Sequence, residues 1–170
     1  MTSQTPQSKY QVRFDWGVAG ARSIAEGADA IIWVDQLGEA NAQLPDSLVV
    51  AGSIQNSAAV ARWVLERQAE TGDRFTVAVV AAGEAREDGS LRFAVEDLLG
   101  AGAVIDALAA AGIDYCSPEA AAASAAYTSL RRAASHLISA SESGQALGMP
   151  MLDLDPVDGV PVMREFPSPV

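Results

Sequence analysis

The chain has 170 residues, 49% of them hydrophobic, with 22 acidic against 11 basic side chains and a formal net charge of −11. That length and apolar share suit one domain with its own core. The charge argues against nucleic acid and anionic membranes as partners, since no basic cluster beyond Arg131 and Arg132 offsets it. The lone cysteine, Cys116, excludes an internal disulfide and a cysteine-based zinc site, and points to a reducing, cytoplasmic setting.

Residues 1–9 are polar and interrupted by proline, without the apolar stretch of a signal peptide, and read as a tail. One domain is expected over 10–166, with 167–170 as a second tail. "YQVRFDW", 10–16, alternates like a strand; "GVAGARSIAEGA", 17–28, has a helical period broken at Gly27; "AIIWVD", 30–35, is an apolar strand ending in Asp35. "SLVVAGS", 47–53, is a buried strand that runs into a helix stopping at Gly72, and "FTVAVVAAG", 75–83, repeats the pattern. A loop, "EAREDG", precedes a helix expected from about Ser90 to Ala111, and a long Ala-rich helix is expected from 118 to about 140. "MPMLDLDPVDGVPVM" reads as loop with a short terminal strand. Alternating apolar strands and helices predict an α/β fold, a mostly parallel sheet flanked by helices in three layers.

Glu96 and Asp97 stand before a segment, Leu98 to Ile105, that carries no charge. With Ser90 as N-cap they fall past the first helical turn, where the helix dipole gives little support. Two carboxylates beside a buried segment need partners, either an arginine such as Arg92 or a metal. Consecutive helical residues diverge by about 100°, so the two acids are not expected to share one partner.

The junction "VVAGSIQNSA" offers Gly52, Ser53 and Asn56 where a strand turns into a helix, a seat for an anion on backbone amides or an ordinary helix cap. Gly83 and Glu84 end the strand at 75–82, and Asp35 ends its own strand, so both acids lie where open α/β sheets bind ligands. Asp35, Glu84, Glu96 and Asp97 together form an oxygen-only set suited to Mg²⁺ if the topology brings them together. His136 has no second ligand at metal spacing, Cys116 reads as structural, and Trp16, Trp33 and Trp63 read as core anchors.

"VVAGSIQNSAAVARW" and "VAVVAAGEAREDGSLRFAVEDLLGAGAVIDAL" resemble the 2-phosphosulfolactate phosphatase (ComB-like) family, with a looser likeness before and after them. The resemblance implies an α/β phosphatase that uses Mg²⁺ to hydrolyse a small phosphate monoester carrying a sulfonate. It matches Gly52, Ser53, Asn56 and Gly83 to family motifs, as candidate substrate contacts, and Glu96 and Asp97 to family acids near the metal or substrate, as candidate catalytic and metal-binding groups. Strand-end placement adds Glu84 as a catalytic candidate and Asp35 as a metal-binding one.

The chain reads as a shortened member. Asp35 is followed by "QLGEANAQLPDS", where the family has a Thr-rich turn, a long middle segment and an Asn-Gly motif, and Asp153, Asp155 and Asp158 have no secure register against its late Asp pair. The segment between Gln36 and Ser47 has room only for a brief crossover helix. A reduced sheet with an open edge favours a homo-oligomer. The alternative to an active phosphatase is a catalytically silent relative that binds a small anion or serves as an oligomeric assembly protein.

Overall fold

The computed structural model describes residues 5–38 and 42–165. Residues 1–4 of the first expected tail, all of the second, 167–170, and residue 166 of the expected domain lie outside that description. Strands β1 (Val12–Trp16), β2 (Ala30–Val34), β3 (Leu48–Gly52) and β4 (Val77–Ala81) form a parallel sheet in the order β1-β4-β2-β3. The short β7 (Val162–Arg164) adds antiparallel to β3. The central strands β2 and β4 are buried at every position, as continuous apolar runs such as "AIIWV" and "VAVVA" require when both faces of a sheet are covered.

Side chains alternate between the two faces, and the core divides accordingly. Ile31, Trp33, Val49, Ala78 and Val80 meet α1 (Gly17–Ile24) through Ala21 and Ile24. Ile32, Val34, Val50, Val77 and Val79 meet α2 (Ser57–Thr71) and α3 (Val95–Ala110), which supply Val60, Val64, Val104, Ile105 and Leu108. The result is the expected three-layer α/β fold. Each fully buried aliphatic side chain contributes about 1.5–3 kcal/mol against exposure.

α2 ends where Gly72 takes a left-handed conformation (φ 69°), the stop that its glycine signals. α3 is buried nearly all round, because α4 (Pro118–Leu130) and α5 (Ala134–Ser139) cover the side that the sheet does not. Gly102 allows the close approach of α4: a β-carbon there would meet the Ala123 carbonyl and lie 2.7 Å from Tyr127 Cβ. The single helix expected over 118–140 is broken by a 3₁₀ turn, Arg131–Ala133, between α4 and α5. A short α6 (Glu142–Ala146) follows. Trp33 is buried, whereas Trp16 and Trp63 pack partly buried against the core.

Neither outer strand is left bare. β7 covers β3. On β1, Val12 donates to the Tyr115 carbonyl and accepts from the Ser117 amide. Two residues on, the Gln7 side chain acts as a missing strand: its Nε2 donates to the Phe14 carbonyl and its Oε1 accepts from the Phe14 amide, both at 2.9 Å. Gln7 holds φ at 62°, an uncommon conformation for a residue with a side chain, and the paired bonds offset it. Between β2 and β3, residues 36–38 and 42–47 are not helical.

Candidate active site

The strand ends of β2, β3 and β4 meet the start of α3. Ser90 does not cap that helix; its amide and hydroxyl donate to Asp88 at 2.9 and 2.6 Å inside the turn of a hairpin. The hairpin strands β5 (Glu84–Ala85) and β6 (Leu91–Arg92) place Glu84 opposite Arg92 and delay the helix to Val95. Glu96 and Asp97 therefore lie in the first turn, where the helix dipole does favour them. Sequence spacing missed this because a two-residue strand pair has no detectable period.

The two acids face different neighbours, as their angular divergence requires. Asp97, 2% exposed, accepts the Gln36 amide on Oδ1 at 2.8 Å and the Gly83 amide on Oδ2 at 2.9 Å, joining the ends of β2 and β4. Gly83 has φ 65°, and a β-carbon there would lie 2.8 Å from the Arg92 carbonyl. Burial pushes the Asp97 carboxyl up to about 7; the Gln36 amide opposes this, Asp35 and Glu96 add to it, and the Gly83 amide opposes it. Glu96 is also 2% exposed, and its Oε2 has no hydrogen-bond partner among the described residues. Arg92 Nη2 stands 4.0 Å from Oε1 of Glu96.

Asp35 is half-buried and Glu84 exposed at the rim. Burial raises the Asp35 pKa, the Gly38 amide opposes the rise, and Glu84 and Glu96 add to it. Asp35 thus lies within electrostatic range of Glu84 and Glu96, and Asp97 within range of Asp35 and Glu96. Among the described residues no three of the acids are grouped closely enough to hold a metal ion by themselves. Mg²⁺ ordinarily takes one or two carboxylates, keeping water or substrate oxygens for the rest. Half-buried Asp35 and the unpartnered oxygen of Glu96 fit that pattern, while the Asp97 oxygens are already engaged by amides.

The β3–α2 junction is more occupied than its sequence suggests. Asn56 Oδ1 accepts the Ser53 amide at 2.8 Å and the Ser53 hydroxyl at 3.1 Å, and its Nδ2 donates to the Ala51 and Gly159 carbonyls at 3.0 Å. The Ile54 amide donates to Gln36 Oε1 at 2.9 Å, and the Asn56 amide to Ser53 Oγ at 3.2 Å. Three of the four amides from Ser53 to Asn56 are therefore met within the chain. Gly52 is accounted for by packing, since a β-carbon there would lie 2.8 Å from Ile32 Cγ2 and 3.1 Å from Val104 Cγ2. A cleft of about 320 Å³ beside this turn is bordered by Trp33, Asp35, Ser53, Asn56, Val157 and Gly159.

Gln36 is the residue that sequence reading missed: its amide and side chain tie Asp97, Ile54 and Gln55 together. Its place directly after a strand's C-terminal end was the available signal. The late acids stay outside the cluster, with Asp153 and Asp155 exposed and Asp158 paired with Arg62 at the surface (2.7 Å). His136 is exposed, and the Cys116 thiol is pushed up by burial and by Asp114, which suits an unreactive side chain. No helix among the described residues is long and apolar enough to cross a membrane.

A comparison with curated proteins matches none of them. The sequence model described as 2-phosphosulpholactate phosphatase matches residues 40–155, which include β3, β4, the hairpin, Glu84, Glu96 and Asp97. That match spans more than half of the chain, so the protein belongs to the 2-phosphosulpholactate phosphatase family.

Proposed function

We propose that the chain is a Mg²⁺-dependent hydrolase that acts on a small phosphate monoester of the phosphosulfolactate type in the cytoplasm. The observation that carries this reading is Glu96 Oε2, a buried carboxylate oxygen without a hydrogen-bond partner in the described residues, within electrostatic range of Asp35 and Asp97. A buried carboxylate left unmatched is costly, and a cation is the natural complement. Asp35 and Glu96 would hold Mg²⁺. When bound, the ion neutralises phosphoryl charge and polarises the ester.

The other residues divide the remaining work. Asp97 positions the site by locking the ends of β2 and β4 through the Gln36 and Gly83 amides. Glu84, exposed on the hairpin and electrostatically coupled to Asp35, orients the attacking water and accepts its proton. Ser53 borders the cleft, and its hydroxyl and the Asn56 side chain keep that turn in shape through their mutual hydrogen bonds.

A second reading has an observation of its own. Ser53, Ile54 and Asn56 have their amides satisfied internally, which removes most of the donors that an anion seat would use. This favours a silent relative that binds a small anion weakly or acts in a homo-oligomeric assembly.

Phosphate release from 2-phospho-3-sulfolactate and a panel of small phosphorylated acids, with Mg²⁺ or chelator, separates the two. The hydrolase reading expects metal-dependent release that Glu96→Gln abolishes, together with a calorimetric Mg²⁺ signal lost in the same variant. Folded protein that gives neither signal, and sediments as an oligomer, supports the silent reading.

A further inference from the structure

Arg92 has donors to spare. Its side chain is 13% exposed, yet among the described residues its one hydrogen bond is from Nη2 to Ser143 Oγ, at 2.6 Å. A guanidinium carries five N–H groups. Glu142 lies 3.5 Å from Nε and Glu96 4.0 Å from Nη2, and neither accepts a hydrogen bond. Arg13 shows the contrast: buried in the same fold, it donates to the carbonyls of Ser8, Tyr10, Ile24 and Glu26. A structural arginine here uses four of its five donors; Arg92 uses one.

Arg92 borders a cavity of about 320 Å³ with Leu37, Glu84, Glu142, Ser143 and Leu147. Glu84 and Glu142 both bring negative charge, so an anion can settle there only against the guanidinium itself. Glu142 is 74% exposed and stands on the Nε side of the fork, where a planar anion would make its paired contacts. Because it is so exposed, its carboxylate can turn into solvent at small cost.

We propose that Arg92 is an anion-recognition residue masked by Glu142, and that it takes the carboxylate or sulfonate arm of the ligand once Glu142 swings out. This deepens the hydrolase reading and rests on it for the phosphate arm, which the Asp35 and Glu96 side receives. Leu37 and Leu147 flank the short aliphatic link between the two arms.

The test is an NMR titration of the full chain with sulfoacetate, a small dianion without phosphate, in the wild type, Glu142→Gln, Arg92→Gln and Arg92→Lys. Unmasking should tighten binding about threefold in Glu142→Gln, and loss of the fork should weaken it about tenfold in Arg92→Gln. Arg92→Lys, which keeps the charge and guards against misfolding, should fall between them. Equal affinities in all four proteins, or weaker binding in Glu142→Gln, overturn the assignment. Sulfoacetate binding that depends on Arg92 supports it even if no ester is hydrolysed. Ester hydrolysis with KM unchanged in Arg92→Gln overturns it and leaves the hydrolase reading standing.

Discussion

The Asp97 carboxylate accepts the Gly83 amide at 2.9 Å, and with its other oxygen the Gln36 amide, so one side chain at the start of α3 holds two strand ends in register. Removing it leaves two partly buried amides without acceptors. Asp97→Ala should destabilise the fold by about 2–4 kcal/mol in urea unfolding, whereas Asp97→Asn, which keeps one acceptor, should lose about half of that. Equal losses would mean that the amides are not what the carboxylate serves.

The same residue gives stability a pH dependence of defined sign. Its folded-state pKa is raised to about 7 from 3.8, so between about pH 4 and 7 the folded chain binds this proton more tightly than the unfolded chain. Stability is therefore highest at the acid end of that window, falls as pH rises through it, and levels off above about 7. Asp35, also raised by burial, adds in the same direction. Unfolding measured in chelator across this range should show the fall in the wild type and a shallower one in Asp97→Asn. A rise toward neutral pH would contradict the buried environment of Asp97.

Asn56 is the stitch between the β3–α2 turn and the late loop at Gly159. Asn56→Ala should cost about 2–4 kcal/mol because several buried groups lose partners together. It should also speed hydrogen exchange at the Val157 amide, which donates to the Gln55 carbonyl of that turn. Unchanged exchange at Val157 would show that the loop is held by other contacts.

Gly102 makes a prediction in which the usual rule changes sign. Alanine in place of a mid-helix glycine normally gains about 0.5–1 kcal/mol. Here the new methyl runs into the Ala123 carbonyl and Tyr127 Cβ, an overpacking worth about 1–3 kcal/mol, so Gly102→Ala should lower the melting temperature. A higher melting temperature would mean that α4 can move aside.

Gln7 closes the β1 edge with two hydrogen bonds. Gln7→Ala should lose about 1–2 kcal/mol and leave the Phe14 amide and carbonyl open to another strand. Sedimentation should then show concentration-dependent association beyond that of the wild type. An unchanged profile would place edge protection in the Tyr115 and Ser117 contacts instead.

The strands, the three layers and the burial of α3 were legible in the sequence, because each depends on apolar periods that the chain displays locally. So was the placing of Asp35 and Glu84 just past the ends of β2 and β4, since parallel strands deliver their C-terminal ends to one edge of the sheet. What tertiary structure decided was the condition of those groups. The Ser53 and Asn56 amides are closed by each other's side chains, but the Ile54 amide is closed by Gln36 from another strand end, and the start of α3 depends on a hairpin too short to announce itself. The unpartnered oxygen of Glu96, the two amides on Asp97 and the idle donors of Arg92 are properties of distance. They arise only when separate segments meet, and it is those distances that separate a site equipped for chemistry from one closed by its own hydrogen bonds.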